Sequence, residues 1–393
     1  MIENGFTYLA VLMMMAASIV YTEKKTQHKL FEYLPAIVII YFAVMIASTF
    51  GLWEKTESVT TTYKTLKSNL LPAMIFLMLL LADMREIFKL GKKMILTFLL
   101  ASVSIALGFI GMFTLFHTSF GQESIDTTWK AFAALSGSWM GGTANMVAIQ
   151  GALDLPDAAM GYTLLIDSID YAIWVMILLS LVPFAKTFNR WTKADTSVID
   201  EVGEKLALKE ESKKPIDFAS LFFLLGFSLM VSALAQYTAS FLPTSDFLTQ
   251  TTWIVIIATF SGILFAMTPL AKISGSSELA NIMLYLIVAL IASRANFAEL
   301  TEAPLYIFAG FVIISIHVII MVIFAKLFKL DLFSLGLASL ANIGGVASAP
   351  ILASAYSKAL IPIGVLMAMM GYILGTFGGL MVGKILENIS KAS

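Results

Sequence analysis

Short polar loops divide the sequence into twelve long apolar stretches. They cover residues 6–22, 33–52, 69–83, 94–117, 129–152, 157–185, 216–239, 251–270, 277–293, 303–328, 333–356 and 360–383. Most are long enough to cross a hydrocarbon core of about 30 Å as a helix. Since 59% of the residues are hydrophobic and only 13% are charged, a soluble or disordered chain is excluded. The sequence therefore predicts an all-α polytopic membrane protein.

Other global properties exclude several kinds of site. The chain has no cysteine, so disulfides and thiolate metal sites are impossible. Its formal net charge of −1 gives no bias toward nucleic acid. Glu3 precedes the first apolar stretch without any lysine or arginine, whereas a signal peptide has a basic beginning. Residues 6–22 are therefore predicted to form a transmembrane helix.

A polar linker, residues 186–214, separates six stretches from six others and is rich in lysine and glutamate. The two halves, 1–185 and 215–393, resemble each other after a shift of 203 positions: LSGSWMGGTAN (135–145) then aligns with ASLANIGGVAS (338–348). In this alignment the Gly-Gly pairs coincide. Internal repeats are common in secondary transporters, so we interpret the halves as two copies of one unit.

The basic loops predict the topology. Lysine and arginine are concentrated after the first and third stretches and in the linker, and such loops are typically cytoplasmic. All three loops share one side only if a stretch between them does not cross. We predict that 129–156 and 333–358 are re-entrant hairpins, leaving ten crossings, an external N-terminus, a cytoplasmic linker in the cell membrane, and two inverted five-helix halves. The alternative is that all twelve stretches cross.

The predicted hairpins contain small polar residues around glycine pairs. Non-helical backbone at membrane depth is tolerated where it lines a cavity, and hydroxyls, amides and freed backbone groups suit Na⁺ or a polar solute. The alternative is a pair of helices that pack through their glycines. The predicted solute-binding residues are Ser136, Ser138, Gly141, Gly142, Thr143, Asn145, Asn342, Gly344, Gly345 and Ser348.

Two aspartates occur inside an apolar stretch. Asp167 is ten residues into the stretch 157–185, about 15 Å deep at about 1.5 Å per residue, and the spacing to Asp170 puts both on one helix face. Intramembrane carboxylates mark ion or proton paths. We predict that both bind the coupling ion, and that Na⁺, if used, binds at Asn145, Asp167 and Asp170. A structural ion pair is the alternative.

Two further features have open interpretations. His317, in the middle of the stretch 303–328, is either a proton relay in ion coupling or a hydrogen-bonding group between helices. Gly371, Gly375, Gly379 and Gly383 have the spacing of close helix packing. That packing is either within one protomer or between two.

The motifs GSWMGGTANMVAIQGAL (137–153), LLIDSIDYAIW (164–174) and NIGGVASAPILASAY (342–356) resemble the DUF819, or YjcL-like, family of bacterial integral membrane proteins. More distantly, the paired hairpins resemble those of sodium-coupled glutamate and citrate symporters. This resemblance implies hairpin tips beside the solute, homodimers and an elevator-like movement. In those symporters the tips read GGxG, whereas Ala144 and Ala347 occupy the last position here.

These features predict a secondary active transporter of a small polar or anionic solute, such as an organic anion, amino acid or short peptide, coupled to Na⁺ or H⁺. Residues 69–185 and 277–383 would form the moving core, and the other helices a scaffold. An uncoupled channel or facilitator is the alternative. An intramembrane enzyme is less favoured, because both aspartates share one helix face and no catalytic pairing is evident. No cofactor and no partner except lipid, solute and a possible second copy are expected.

Overall fold

The computed structural model describes residues 1–26, 31, 36–82, 84–121, 124–194, 215–245, 248–295, 303–357 and 360–392. Most of the predicted linker (195–214) lies outside these residues. The described part of the chain is helical and contains no β-strand, only an isolated bridge between Ile2 and Trp53. Six helical segments of it are long and apolar enough to cross a membrane. The predicted fold class, an all-α polytopic membrane protein, is confirmed.

The numbered helices follow the apolar stretches in chain order. They are α1 (Gly5–Thr26), α2 (Ala36–Thr49), α3 (Glu57–Leu79), α4 (Gly91–Phe116), α5 (Ile125–Gly141), α6 (Thr143–Ala152), α7 (Met160–Leu181), α8 (Ala185–Thr192), α9 (Phe218–Ala239), α10 (Gln250–Ala266), α11 (Ser276–Ala292), α12 (Ala303–Phe328), α13 (Leu332–Ile343), α14 (Gly345–Tyr356) and α15 (Ile361–Lys391). Short helical turns in the loops are not numbered.

One helix begins well before its apolar stretch. The stretch 69–83 is only the end of α3, which begins at Glu57. The hydroxyl of Thr56 caps this helix by accepting a hydrogen bond from the backbone N–H of Val59 at 3.3 Å. Polar residues form most of its first half, so hydropathy did not reveal them, although the cap and the acidic first turn are ordinary helix-start signals.

Both Gly-Gly segments fold back on themselves. Gly142 separates α5 from α6 with φ +93°, and Gly137 then packs directly against the side chain of Ile149. A continuous helix would separate those two residues by about 18 Å. In the second segment, a Cβ on Gly336 would lie only 3.5 Å from the Leu352 side chain. Each segment is therefore a helical hairpin, as the re-entrant prediction requires; the number of crossings stays a prediction.

Helix α15 packs closely against both hairpins. Its glycines at 371, 375, 379 and 383 face α5, and a Cβ on Gly375 would lie 2.7 Å from the Cα of Gly141. Near the other end of α15, a Cβ on Gly364 would lie 2.9 Å from the backbone of Ala349 in α14. The glycine stripe thus makes close contacts within one protomer, which is one of the two packings that the sequence left open.

The helices form two groups. We call α1, α2, α3, α9, α10 and α11 the scaffold bundle, and α4 to α7 with α12 to α15 the core bundle, because helices pack mainly within these sets. Each half of the chain gives three helices to the scaffold bundle, then a helix, a hairpin and a helix to the core bundle. The segments 69–83 and 277–293, expected in the hairpin-bearing transport core, pack in the scaffold bundle instead; the division into a moving core and a scaffold stays a prediction. Helices α3 and α11 pack on each other and on scaffold neighbours.

Among the described residues, polar contacts between the two bundles gather at the end of the first hairpin that lies away from its tip. Asp157, just before α7, pairs with Lys67 of α3 at 2.9 Å and also accepts a hydrogen bond from Tyr63. At the same end, the Thr252 hydroxyl of α10 donates to the carbonyl of Ala152 at 2.8 Å. These contacts attach the first hairpin and the beginning of α7 to the scaffold bundle.

Candidate functional site

A cavity of about 230 Å³ lies where the tips of the two hairpins meet. Both the core and the scaffold bundles line it. The lining residues are Ile37, Val38, Met78, Ser138, Gly142, Thr143, Ala144, Asp167, Ser168, Tyr171, Asn281, Leu284, Tyr285, Ile343, Gly344, Gly345, Val346 and Tyr372. The cavity thus brings together the two Gly-Gly segments, which are about 200 residues apart in the chain.

The backbone at the hairpin tips explains why glycine occurs there. Gly142 combines φ +93° with ψ 171°, a conformation essentially confined to glycine. Gly345 has φ +57°, in the left-handed region that glycine enters without strain. Helix α6 begins immediately after Gly142, and α14 begins at Gly345 itself. The first N–H groups of both helices, which have no partner inside the helix, are therefore close to the cavity.

Asp167 is the acidic residue of the cavity. It lies on α7, the helix that follows the first hairpin, and its carboxylate accepts a hydrogen bond from the Ser138 hydroxyl at 2.9 Å. This bond links the hairpin to α7 beside the tip. The described residues that line the cavity include no lysine, arginine or histidine.

Asp170 faces away from this cavity. Its side chain is fully buried and packs directly against Gly310 of α12. Neither carboxylate oxygen has a hydrogen-bond partner among the described residues. The spacing of the two aspartates therefore leaves Asp167 in the cavity and places Asp170 between two helices of the core bundle.

The predicted hairpin residues divide into two sets. Ser138, Gly142, Thr143, Gly344 and Gly345 line the cavity. The remaining five contribute to packing and hydrogen bonding around it. These are Ser136, Gly141, Asn145, Asn342 and Ser348.

Each residue of the second set has a neighbour inside the core bundle. Asn145 accepts a hydrogen bond from Thr376 of α15 at 2.7 Å, and Asn342 accepts one from Ser102 of α4 at 2.7 Å. The Ser136 hydroxyl donates to the carbonyl of the residue three positions earlier at 2.7 Å. Gly141 is packed against α15, and Ser348 is packed beside Gly344 without a hydrogen-bond partner among the described residues.

The three residues predicted for Na⁺ have different neighbours. Asn145 is bonded to Thr376, Asp167 to Ser138, and Asp170 is packed against Gly310. Of these three, only Asp167 lines the cavity. Among the three, Asp167 is therefore the one placed to contact a cation inside the cavity.

His317 lies in a separate hydrogen-bond chain. Its Nδ1 is 2.7 Å from the Ser104 hydroxyl, which itself donates to the carbonyl of Ala101, and its Nε2 is 2.8 Å from the Ser339 hydroxyl. The Trp174 indole N–H also donates to Ser339, at 2.9 Å. Both ring nitrogens thus have partners, as expected for a hydrogen-bonding group between helices. His317 lines a different, apolar cavity of about 250 Å³.

Sequence reasoning did not identify three aromatic residues of the cavity. Tyr171, Tyr285 and Tyr372 come from α7, α11 and α15. Only Tyr171 had a sequence signal, since it is four residues after Asp167 and therefore on the same helix face. The other two become neighbours of the site only through the packing of distant helices.

Comparisons with known proteins place this architecture among membrane proteins. A family model described as "Protein of unknown function (DUF819)" matches residues 10–389, which include both hairpins. The chain is similar to the "Uncharacterized membrane protein YjcL" of Bacillus subtilis (strain 168), with 27% identity over 338 residues that cover 82% of this chain and 83% of that protein. The matches extend across both halves rather than over a single motif.

Proposed function

The chain belongs to the DUF819 family, and we propose that it is a secondary active transporter of a small polar or anionic solute, coupled to Na⁺ or H⁺. One observation carries the proposal: two hairpin tips from the two halves of the chain meet in one cavity at the boundary of two helical bundles. Broken helices around a central site, contributed by internal repeats, are a recurring design of such transporters.

The cavity is suited to binding a polar solute. Backbone groups at helix breaks can contact a solute only where the backbone approaches it closely, and the glycines at both tips permit this. Ser138 and Thr143 on the first hairpin and Asn281 on α11 add hydrogen-bonding side chains. Its volume of about 230 Å³ is below the range of drug-sized pockets, which favours a small metabolite.

The two aspartates are the candidate coupling groups. A carboxylate inside the membrane is costly unless it is paired or binds a cation or a proton. Asp167 is in contact with the cavity, and Asp170 is one helical turn away, buried without a hydrogen-bond partner among the described residues. Ion or proton binding at this pair is thereby connected to occupancy of the cavity through a single helix, α7.

The packing supports an elevator-like movement. Helix α15 contacts both hairpins closely, so the two tips would move together, whereas the polar contacts to the scaffold bundle gather at one end of the first hairpin. We propose that the core bundle moves against the scaffold bundle and carries the cavity with it.

The test is solute flux in proteoliposomes. A stabilisation screen of the purified protein across amino acids, organic acids and short peptides, with and without Na⁺, would select the solute. Uptake of the labelled solute should then saturate and exceed equilibrium under an imposed Na⁺ or H⁺ gradient. Flux that ignores both gradients would identify a facilitator instead.

The coupling groups are tested in the same vesicles. The double variant Asp167→Asn/Asp170→Asn should lose gradient-driven accumulation. Asp126→Asn removes a carboxylate at the exposed beginning of α5 and should leave accumulation unchanged. Normal accumulation in the double variant would exclude these residues from coupling.

A further inference from the structure

The charge of the cavity indicates what kind of solute it favours. Asp167 supplies a carboxylate, and no lysine, arginine or histidine occurs among the described residues that line the cavity. A solute that is only anionic would place its charge near Asp167 without a basic side chain to offset the repulsion. A cationic group would be attracted, because charges interact strongly where water is scarce.

Three tyrosines line the same cavity as this carboxylate. Tyr171 lies one helical turn after Asp167 on α7, Tyr372 comes from α15, and Tyr285 faces the cavity from the scaffold bundle. The face of a tyrosine ring attracts an ammonium group, and the attraction increases when the group loses its water. A cavity lined by three tyrosines and one carboxylate is therefore suited to a desolvated amine.

We propose that the transported solute carries an ammonium group, which pairs with Asp167 among Tyr171, Tyr285 and Tyr372. The inference rests on the proposed function and narrows its solute from any small polar or anionic molecule to an amine-bearing one. Because one carboxylate cannot hold the ammonium group and the coupling ion at once, it also leaves Asp170 as the coupling group. Ser138, which already donates to Asp167 at 2.9 Å, would hold the carboxylate in position beside the first hairpin tip. A carboxylate can accept several hydrogen bonds, so an ammonium group can bind it alongside Ser138.

Matched pairs of compounds test the proposal by binding alone. Alanine and lactate, and tyramine and tyrosol, each differ by the exchange of one amine for a hydroxyl, and putrescine and butane-1,4-diol differ by two such exchanges. Thermal stabilisation of the purified protein in detergent gives the apparent affinity of each. At least one amine should stabilise the protein, and its hydroxyl counterpart should bind at least about tenfold more weakly, as expected when a hydrogen bond to a charged group is lost.

Two results would overturn the inference. One is the absence of stabilisation by every amine in the set. The other is equal or better stabilisation by the hydroxyl compounds or by an organic anion such as succinate.

Variants then assign the binding to Asp167. Asp167→Asn keeps the size of the side chain and should weaken amine binding about 10- to 100-fold. The matched control is Asp126→Asn, on α5 of the first hairpin and outside the cavity, with a side chain that is 70% exposed and paired with Lys130; it should bind normally. Undiminished binding by Asp167→Asn would contradict the assignment.

Further substitutions serve two purposes. One keeps the test of Asp167 decisive if Asp167→Asn does not fold, and the others test the role of a tyrosine ring. If Asp167→Asn does not fold, as judged from its unfolding without solute, Asp167→Glu keeps the charge and should retain measurable binding. Tyr372→Phe should bind the amine nearly as well as the natural protein, whereas Tyr372→Leu should bind it several-fold more weakly. Equal affinity in these two variants would remove the ring from the proposed site.

Binding and flux separate this inference from the proposed function. Amine binding without gradient-driven accumulation would leave the inference standing and refute the transporter proposal. Accumulation of an organic anion, with amines ignored, would do the reverse.

Discussion

Single glycines set the geometry of the site. Gly142 and Gly345 have positive φ angles of +93° and +57°, and each reverses the chain at the cavity. A Cβ on Gly345 would meet no atom within 4 Å, and one on Gly142 only the Tyr372 ring at 3.8 Å. Space is therefore available at both positions, and the backbone conformation alone restricts which residue can occur there.

We expect Gly142→Ala and Gly345→Ala to lower the free energy of unfolding by about 1–2 kcal/mol each, because an alanine must adopt a strained backbone. Gly345→Asn should lose less, since asparagine enters the left-handed region more easily. Thermal unfolding in detergent measures the order. The control, Gly226→Ala, is at a helical position with no atom near its Cβ and should not be destabilising; a Gly142→Ala protein as stable as this control would contradict the argument.

Sequence reasoning identified several residues of this site, but it did not identify the residues that they contact in the folded protein. The repeated Gly-Gly pattern predicted both helix breaks, and the intramembrane position of Asp167 predicted a polar environment. The spacing of Asp167 and Asp170 did not predict that Gly310 faces one of them. A period along one helix gives a shared direction, but which neighbour lies in that direction depends on packing with distant helices.

At the scale of elements, α15 and the first hairpin fit through small residues on both sides. Gly371, Gly375 and Gly379 recur every four residues, and α5 has Ala133, Gly137 and Gly141 at the same interval. A Cβ on Gly379 would lie 3.0 Å from the backbone nitrogen of Gly137. Two small faces allow the backbones to approach, which strengthens van der Waals contact where lipid provides no hydrophobic driving force.

Neighbouring glycines of α15 provide a matched comparison. Gly379→Ala presses on the backbone of α5 and should cost about 1–3 kcal/mol of stability, because backbone cannot move aside. Gly378→Ala meets only the flexible end of Met140 at 3.1 Å and should change stability little. Melting temperatures of the two variants check the difference, and equal values would mean that the hairpin adjusts to α15 without loss.

At the scale of the whole molecule, the chain alternates between two bundles. Hydropathy predicted the helices and most of their approximate ends, with the polar beginning of α3 as the exception, since that property is local. It did not predict that α3 and α11 belong to the scaffold bundle, because membership is set by the neighbours that a helix finds after folding. Even so, both line the cavity, with Met78 on α3 and Asn281 and Tyr285 on α11.

A crosslink between the bundles tests whether they move. The chain has no cysteine, so Gly151→Cys/Thr251→Cys introduces a single pair. A Cβ at position 151 would lie 4.0 Å from Cγ2 of Thr251 and 2.6 Å from Cδ2 of Leu71, so the two positions are neighbours and the end of the Leu71 side chain must shift to admit the new cysteine. Oxidation should stop solute flux and leave solute binding intact, and a reductant should restore flux.

Each single cysteine variant is the control for this experiment and should transport under both conditions. Full flux through the oxidised double variant, with the crosslink verified by its mobility on a gel, would show that transport does not require movement at this boundary.

During a transport cycle of this kind, the two walls of the cavity would contact the solute for different lengths of time. Hairpin tips, Asp167 and Tyr372 belong to the core bundle, so they would accompany the solute throughout. Asn281 and Tyr285 belong to the scaffold bundle and would meet it only while the bundles are in this relative position. Selectivity would then be divided between two sets of residues. Those of the core bundle would discriminate between solutes throughout the cycle, whereas those of the scaffold bundle would do so only when the solute is loaded or released in this position.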